Sequence, residues 1–132
     1  MDILTRAFVA LLIFLASLSI YFIYNTTLRR RSPNLLAELQ PNRPFAFTLV
    51  YFTTPSCVPC KTIQKPAIQS LSQLLGNGLH VIEIDASEKT DLASRWGVMS
   101  VPTTFIFDPK GNLLHINHGV TRTETLLKQI RQ

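Results

Sequence analysis

The sequence predicts an α/β fold, a mixed sheet flanked by helices, preceded by one N-terminal transmembrane helix. An uncharged apolar run occupies residues 7–24, and at 1.5 Å of rise per residue it almost spans a hydrocarbon core of about 30 Å. Beyond it, strand and helix patterns alternate, which favours a parallel crossover. A turn at Asp108–Asn112 joins two further strand patterns into a hairpin, so the sheet is expected to be mixed.

The chain of 132 residues fits one domain plus an appendage. We expect a transmembrane anchor with a basic flank at residues 1–31 and a Pro-rich linker at residues 32–44, which carries three prolines and one short helical turn around Leu35–Leu39. The remaining residues, 45–132, form the folded domain.

The apolar run has two other interpretations. A buried core helix rarely lacks polar residues on every face, whereas this run has only two serines, Ser17 and Ser19, besides its apolar and aromatic residues. A cleaved signal peptide has a shorter apolar stretch and a small-x-small cleavage site, and Ala16–Ser19 offers only a mediocre one. We therefore expect an uncleaved anchor in contact with lipid, with Tyr21 and Tyr24 near the interface.

Basic residues beside the anchor predict its orientation. Arg6 precedes the apolar run, and Arg29, Arg30 and Arg31 follow it. The positive-inside rule then places the C-terminal domain of this single-pass cell-membrane protein in the cytoplasm, with an extracytoplasmic position as the alternative. Because most of the net charge of +5 lies at this flank, the basic composition does not indicate nucleic-acid binding.

The folded domain contains four strand patterns and three helix patterns. The first strand is a continuous apolar and β-branched run, which is typical of a strand buried on both faces. The first helix has an apolar stripe at Ile63, Ala67, Leu71, Leu74 and Leu75, and Gly76 ends it. The predicted strands are Phe45–Thr53, Leu79–Asp85, Thr103–Phe107 and Leu113–His118, and the predicted helices are 58–75, 87–96 and 121–131.

The two cysteines of the chain, Cys57 and Cys60, are three residues apart. A bridge between them closes too small a loop to be a useful structural staple. They follow the first strand at the start of a helix, where N–H groups and the helix dipole favour a thiolate, and Pro59 suits the first helical turn. This layout provides an attacking thiol and a resolving thiol.

A C-x-x-C motif alone is weak evidence, since half of a zinc site or coincidence explains it as well. The other available zinc ligands are His80, His115 and His118, which lie on or beside predicted strands without ligand-like spacing. We expect no metal and no cofactor.

Two segments, Phe52–Lys61 and Trp96–Phe107, resemble the motifs of the thioredoxin family, at the spacing of that family. The resemblance covers residues 45–132 and implies a thioredoxin-like fold and thiol–disulfide exchange. It also implies a cis peptide bond before Pro102 and substrate binding by Val101, Pro102 and Gly119. From the residues alone, Pro102 fits a proline at the start of a strand as well as a binding residue, and Gly119 fits an ordinary turn glycine as well.

The sequence departs from the family pattern around the dithiol. Tyr51 replaces the buried aspartate that helps to deprotonate the resolving cysteine, Ser56 replaces the tryptophan before the first cysteine, and Pro66 lies one residue later than the usual helix-kinking proline. Since a phenol has a pKa of about 10, we expect slower resolution at Cys60, with water as the proton acceptor. A pH profile with a carboxylate-like base would contradict this expectation.

Together these features predict a membrane-anchored protein-disulfide reductase with a redox-active disulfide. Its expected partners are disulfide-containing client proteins and an upstream redox donor, and we expect a monomer. An exported thiol oxidant or isomerase is one alternative, because many anchored members of the family act outside the membrane. A non-catalytic binding or redox-sensing module is the other.

Overall fold

A computed structural model describes residues 2–39 and 46–132 of the chain. The chain divides into two compact units, Met1–Arg31 and Ser32–Gln132. The elements in chain order are α1 (Ile3–Leu39), β1 (Phe47–Thr53), a π-helical turn (Cys60–Gln64), α2 (Lys65–Leu75), a 3₁₀ turn (Gly76–Gly78), β2 (Leu79–Asp85), α3 (Thr90–Arg95), β3 (Thr103–Phe107), β4 (Leu113–His118) and α4 (Thr123–Arg131).

The first unit consists of the N-terminal part of α1. Its segment Ile3–Thr27 is long and apolar enough to cross a membrane, and none of it is buried inside the protein. The hydroxyls of Ser17, Ser19, Thr26 and Thr27 donate to backbone carbonyls three or four residues earlier, so the helix backbone satisfies these four hydroxyls. A membrane span and a signal sequence both fit this segment, whereas a buried core helix does not.

The C-terminal turns of α1 belong to the second unit. The predicted helical turn around Leu35–Leu39 is part of a longer helix, since residues 32–39 all belong to α1, and the remaining linker residues, 40–44, lie outside the described part of the chain. The helix forms here because Leu36 is buried in the core of this unit, with Leu35 and Leu39 packed against the same cluster. Glu38 adds two hydrogen bonds from the guanidinium of Arg95, at 2.8 and 2.9 Å.

The sheet is mixed, as predicted, with the strand order β2-β1-β3-β4. β1 is parallel to β2, while the pairs β1–β3 and β3–β4 are antiparallel. In register, Thr103 at the start of β3 pairs with Phe52 near the end of β1 and with His118 at the end of β4. The segments after β1, before β3 and after β4 therefore meet at one end of the sheet.

Each face of the sheet is covered by helices, which confirms the predicted layers. On one face, α3 and the end of α1 enclose an aromatic cluster, in which Trp96 lies edge-on to Phe105 with ring centroids 4.9 Å apart. On the other face, α2 and α4 pack their buried residues against Leu49 and Tyr51. Because the strands between the two layers are buried on both faces, their near-continuous apolar sequence is explained.

The predicted apolar stripe of the first helix is wrong at two positions. Ile63 is 49% exposed and Leu74 is 64% exposed. The residues that point inward are Cys60, Gln64, Ala67, Ile68 and Leu71. These residues keep the regular helical spacing from Cys60, so the predicted stripe is centred on a neighbouring face of the helix and wrongly includes Ile63 and Leu74. The π turn at Cys60–Gln64 accommodates Pro66, which cannot donate to an earlier carbonyl.

Candidate active site

The two cysteines form a disulfide at the junction between β1 and the helix that follows. The S–S distance is 2.11 Å, and the Cα atoms are 5.3 Å apart. Cys57 is partly exposed, whereas Cys60 is completely buried. An incoming sulfur can therefore reach Cys57 but not Cys60.

The backbone around Cys57 is arranged to hold negative charge on its sulfur. The N–H of Cys60 points at the Cys57 sulfur, with a nitrogen–sulfur distance of 3.3 Å. Pro59 is exposed and has helical dihedral angles (φ −61°, ψ −31°), so it fits this first turn without losing a hydrogen bond. Together with the dipole of the helix that starts here, the N–H group stabilises a thiolate at Cys57 after reduction.

Val101 and Pro102 lie at the same end of the sheet as the dithiol, and the peptide bond between them is cis. The cis bond that the sequence motif implied is thus confirmed. Both Cys57 and Val101 pack against the core cluster that contains Cys60. The amide of Gly119 donates to the carbonyl of Pro102 at 2.8 Å, which links the segment after β4 to the same place.

Gly119 is required for its backbone conformation and not for space. Its φ is +94°, and a Cβ atom added to it would meet nothing within 4 Å. A residue with a side chain rarely adopts this φ. The glycine therefore allows the chain to turn sharply after β4, where its amide meets Pro102.

Comparison with known proteins agrees with this geometry. The family model for thioredoxin matches residues 37–132. The chain belongs to the thioredoxin family. It is 32% identical over 84 residues to thioredoxin from Bacillus subtilis, a match that covers 64% of this chain and 79% of that protein.

Solved thioredoxin structures show the same fold. A mutant thioredoxin from Halobacterium salinarum is 28% identical, with a TM-score of 0.57, and the match covers 64% of this chain and 72% of the other. Oxidised mitochondrial thioredoxin 3 from Saccharomyces cerevisiae has a TM-score of 0.61 at 24% identity, with 73% and 88% of the two chains covered. Membership of the family and the Cys57–Cys60 pair make the protein a thiol–disulfide oxidoreductase.

Tyr51 lies beneath the dithiol, at the position where the thioredoxin motif has an aspartate. Its side chain is buried, and its hydroxyl donates to the backbone carbonyl of Cys60 at 3.1 Å. Burial raises the pKa of Tyr51 above the ordinary value, outweighing a hydrogen bond with Thr53, and the charge of Glu83 raises it further. The phenol therefore remains protonated near neutral pH and supports the Cys60 turn as a donor.

Gln64 is a residue of this site that the sequence analysis missed. It is completely buried, and its amide nitrogen donates to the carbonyl of Thr121 at 3.1 Å while its amide oxygen accepts the N–H of Thr121 at 2.8 Å. This pair of bonds connects the helix after the dithiol to the loop after Gly119. It also explains why α4 begins at Thr123 and not at residue 121. The sequence signal that could have identified Gln64 is its position four residues after Cys60, which places both residues on one face of a helix.

Several exposed apolar side chains are adjacent to the site in sequence. Val58 is 66% exposed, Met99 is 89% exposed and Val120 is 41% exposed. They neighbour Cys57, Val101 and Gly119, the three places that meet at this end of the sheet. Ser56 is also exposed, so a small polar residue replaces the indole that usually flanks the first cysteine of the motif.

The structure does not bring the histidines to the dithiol as metal ligands. Within residues 2–39 and 46–132, no group of three or more His, Cys, Asp or Glu side chains could hold a metal ion. The sulfurs of both cysteines are bonded to each other.

Proposed function

We propose that this protein is a membrane-anchored protein-disulfide reductase. The observation that carries the proposal is a partly exposed Cys57, joined to a buried Cys60, beside the cis Val101–Pro102 bond. Relatives that are thioredoxins support it, and so does an N-terminal helix apolar enough to span a bilayer.

The arrangement assigns different tasks to the two sulfurs. After an upstream donor has reduced the dithiol, the Cys57 thiolate attacks one sulfur of a client disulfide, and the other client sulfur leaves as a thiolate. Cys60 then loses its proton and attacks the Cys57 sulfur. The Cys57–Cys60 bond forms again, the bond from Cys57 to the client breaks, and the second client sulfur leaves with the electron pair. The client gains two electrons and the protein loses two.

The client is expected to bind as an extended segment across Val101, Pro102 and Gly119. The exposed side chains of Val58 and Met99 favour apolar residues on either side of the client cysteine, since their burial on docking contributes about 25 cal/mol per Å². Backbone groups on each side of the cis proline would hold the main chain of the client.

The apolar segment Ile3–Thr27 is proposed to anchor the protein, with the oxidoreductase domain in the cytoplasm. Three arginines after this segment, against one before it, support this orientation. Protease added to intact cells tests the assignment. We expect residues 46–132 to survive, and their digestion from outside would instead indicate the exported alternative.

Reduction of insulin by the full chain in detergent micelles tests the activity. With dithiothreitol as the donor, we expect turnover by the wild-type protein and none above background for Cys57→Ser. Equal rates for both proteins would favour a non-catalytic binding module. Net oxidation of a reduced client, in a glutathione buffer set to the reduction potential of the cytosol, would favour the oxidant or isomerase.

A further inference from the structure

A cavity of about 430 Å³ is lined by Cys60 and Tyr51 but not by Cys57. Glu83, Asp85 and Glu88 supply carboxylates to its lining. A space of this size holds several water molecules. It offers a wet route to the surface for a proton that leaves the buried Cys60.

Neither Tyr51 nor Asp85 is suited to take that proton. The hydroxyl of Tyr51 is already a donor to the Cys60 carbonyl. Asp85 is occupied, because its carboxylate accepts from the hydroxyl and the amide of Ser87 and from the amide of Glu88. These bonds hold the pKa of Asp85 below its ordinary value, and the bond from the Ser87 hydroxyl has the largest effect. Asp85 therefore remains a carboxylate that resists protonation.

Glu83 is placed differently. It is the register partner of Tyr51 across the parallel β1–β2 pair, so both side chains project to the same face of the sheet. Its carboxylate lies 3.6 Å from the ammonium of Lys65, and the backbone N–H of Lys65 donates to the carbonyl of Cys60. The Glu83 carboxylate therefore lines the cavity next to Lys65, the residue whose backbone is bonded to Cys60.

We propose that Glu83 accepts the proton of Cys60, through water in this cavity, when Cys60 resolves the mixed disulfide. The proposal rests on the thiol–disulfide exchange proposed above. The Cys60 S–H bond breaks, its proton passes through water to the Glu83 carboxylate, and the thiolate attacks the Cys57 sulfur. The client sulfur leaves with the electron pair of its bond to Cys57. The proposal revises the expectation that water alone takes this proton, because the missing carboxylate is supplied by the neighbouring strand.

The charged and titratable groups around Glu83 are close to balanced in sign. Because the cavity has several charged groups, the pH dependence of the resolving step is attributed to Glu83 only by comparing the Glu83 variant with the wild-type protein. The groups are Tyr51 from β1, Lys61 and Lys65 from the helix, Asp85 from β2, and Glu88 and Lys89 from the loop after β2.

A chromogenic aromatic disulfide separates the two chemical steps. Mixed with the reduced full chain in detergent micelles, it releases one coloured thiolate when Cys57 attacks and a second when Cys60 resolves the mixed disulfide. For Glu83→Gln we expect an unchanged first phase and a second phase about tenfold slower at pH 7, which is less than the roughly 10²–10⁴-fold of direct acid–base catalysis because the carboxylate acts through water. Glu88→Gln, which removes an exposed carboxylate of the same cavity, is the matched control and should leave both phases unchanged.

The pH dependence distinguishes proton transfer from a structural effect. As the pH rises, hydroxide increasingly removes the Cys60 proton without a protein base, so the second-phase rates of Glu83→Gln and the wild-type protein should converge at alkaline pH. Equal second-phase rates for the two proteins at pH 7, or a ratio of these rates that is constant at every pH, would overturn the role of Glu83 but not the proposed exchange. A wild-type protein that shows neither phase would overturn the proposed exchange and this inference with it.

Discussion

Replacing Gln64 with leucine tests the connection between the helix after the dithiol and the loop after Gly119. The substitution keeps the bulk of the side chain but removes both hydrogen bonds to the Thr121 backbone, at 2.8 and 3.1 Å. Each lost bond contributes about 1 kcal/mol, and an N–H or carbonyl left unpaired in a partly buried place costs about 1–3 kcal/mol. We therefore expect the free energy of unfolding to fall by about 2–4 kcal/mol.

Urea unfolding of the full chain in detergent micelles measures this change. The fluorescence of Trp96, the one tryptophan in the sequence and a completely buried residue, reports the unfolding of its domain. Gln69→Leu, at an exposed position of α2, is the control, and should change the free energy by about 0.5 kcal/mol or less. A Gln64→Leu protein as stable as this control would refute the reasoning.

The same unfolding measurement tests two further contacts. Leu36→Ala should cost about 2–5 kcal/mol because the side chain is buried, whereas Leu74→Ala, at an exposed position, should cost little; equal losses would contradict the docking of α1. Hydrogen bonds from Arg95 lower the pKa of Glu38. The ionised Glu38 therefore stabilises the fold fully above the ordinary glutamate pKa of about 4.3, and this stabilisation is lost as the pH falls through the lowered pKa. Glu38→Gln should therefore destabilise the protein at pH 7 and have no effect in strong acid, and an effect independent of pH would exclude this linkage. Tyr51→Phe should slow the resolving step by less than about threefold, because it removes only the neutral hydrogen bonds of the hydroxyl, to the Cys60 carbonyl and with Thr53, and no proton acceptor. A larger loss, confined to neutral pH, would identify the phenol as a proton carrier.

Much of the architecture could be predicted from local patterns. The strands β2, β3 and β4 begin and end where the sequence predicts them, because apolar β-branched runs and the Asp108–Asn112 turn are local signals. The dithiol at a strand–helix junction and the cis bond before Pro102 followed from short motifs.

Other features depend on contacts between distant residues, and their local signal was weak or absent. The π turn at Cys60–Gln64 leaves no mark in the apolar pattern, so the sequence does not reveal it. Gln64 is polar, so a search for apolar positions passes over it, although its partner Thr121 lies 57 residues away. Glu83 becomes relevant only when the register of β1 and β2 sets it beside Tyr51.

The end of α1 is a longer helix than the short turn that the sequence predicts around Leu35–Leu39, for a related reason. The prolines of residues 32–44 indicate a linker, whereas Leu36 forms a helix because it can be buried among core residues far along the chain. Tertiary packing of an apolar face outweighs local propensity in such a case.

The assignment of attack to Cys57 and resolution to Cys60 is tested most directly by trapping. A disulfide-containing client is incubated with the reduced full chain, and mixed disulfides are separated on a non-reducing gel. The account predicts that Cys60→Ser accumulates a covalent complex through Cys57, since no thiol is left to release the client. Cys57→Ser should form none, because Cys60 is completely buried. Trapping by Cys57→Ser, or no complex with Cys60→Ser, would contradict the account.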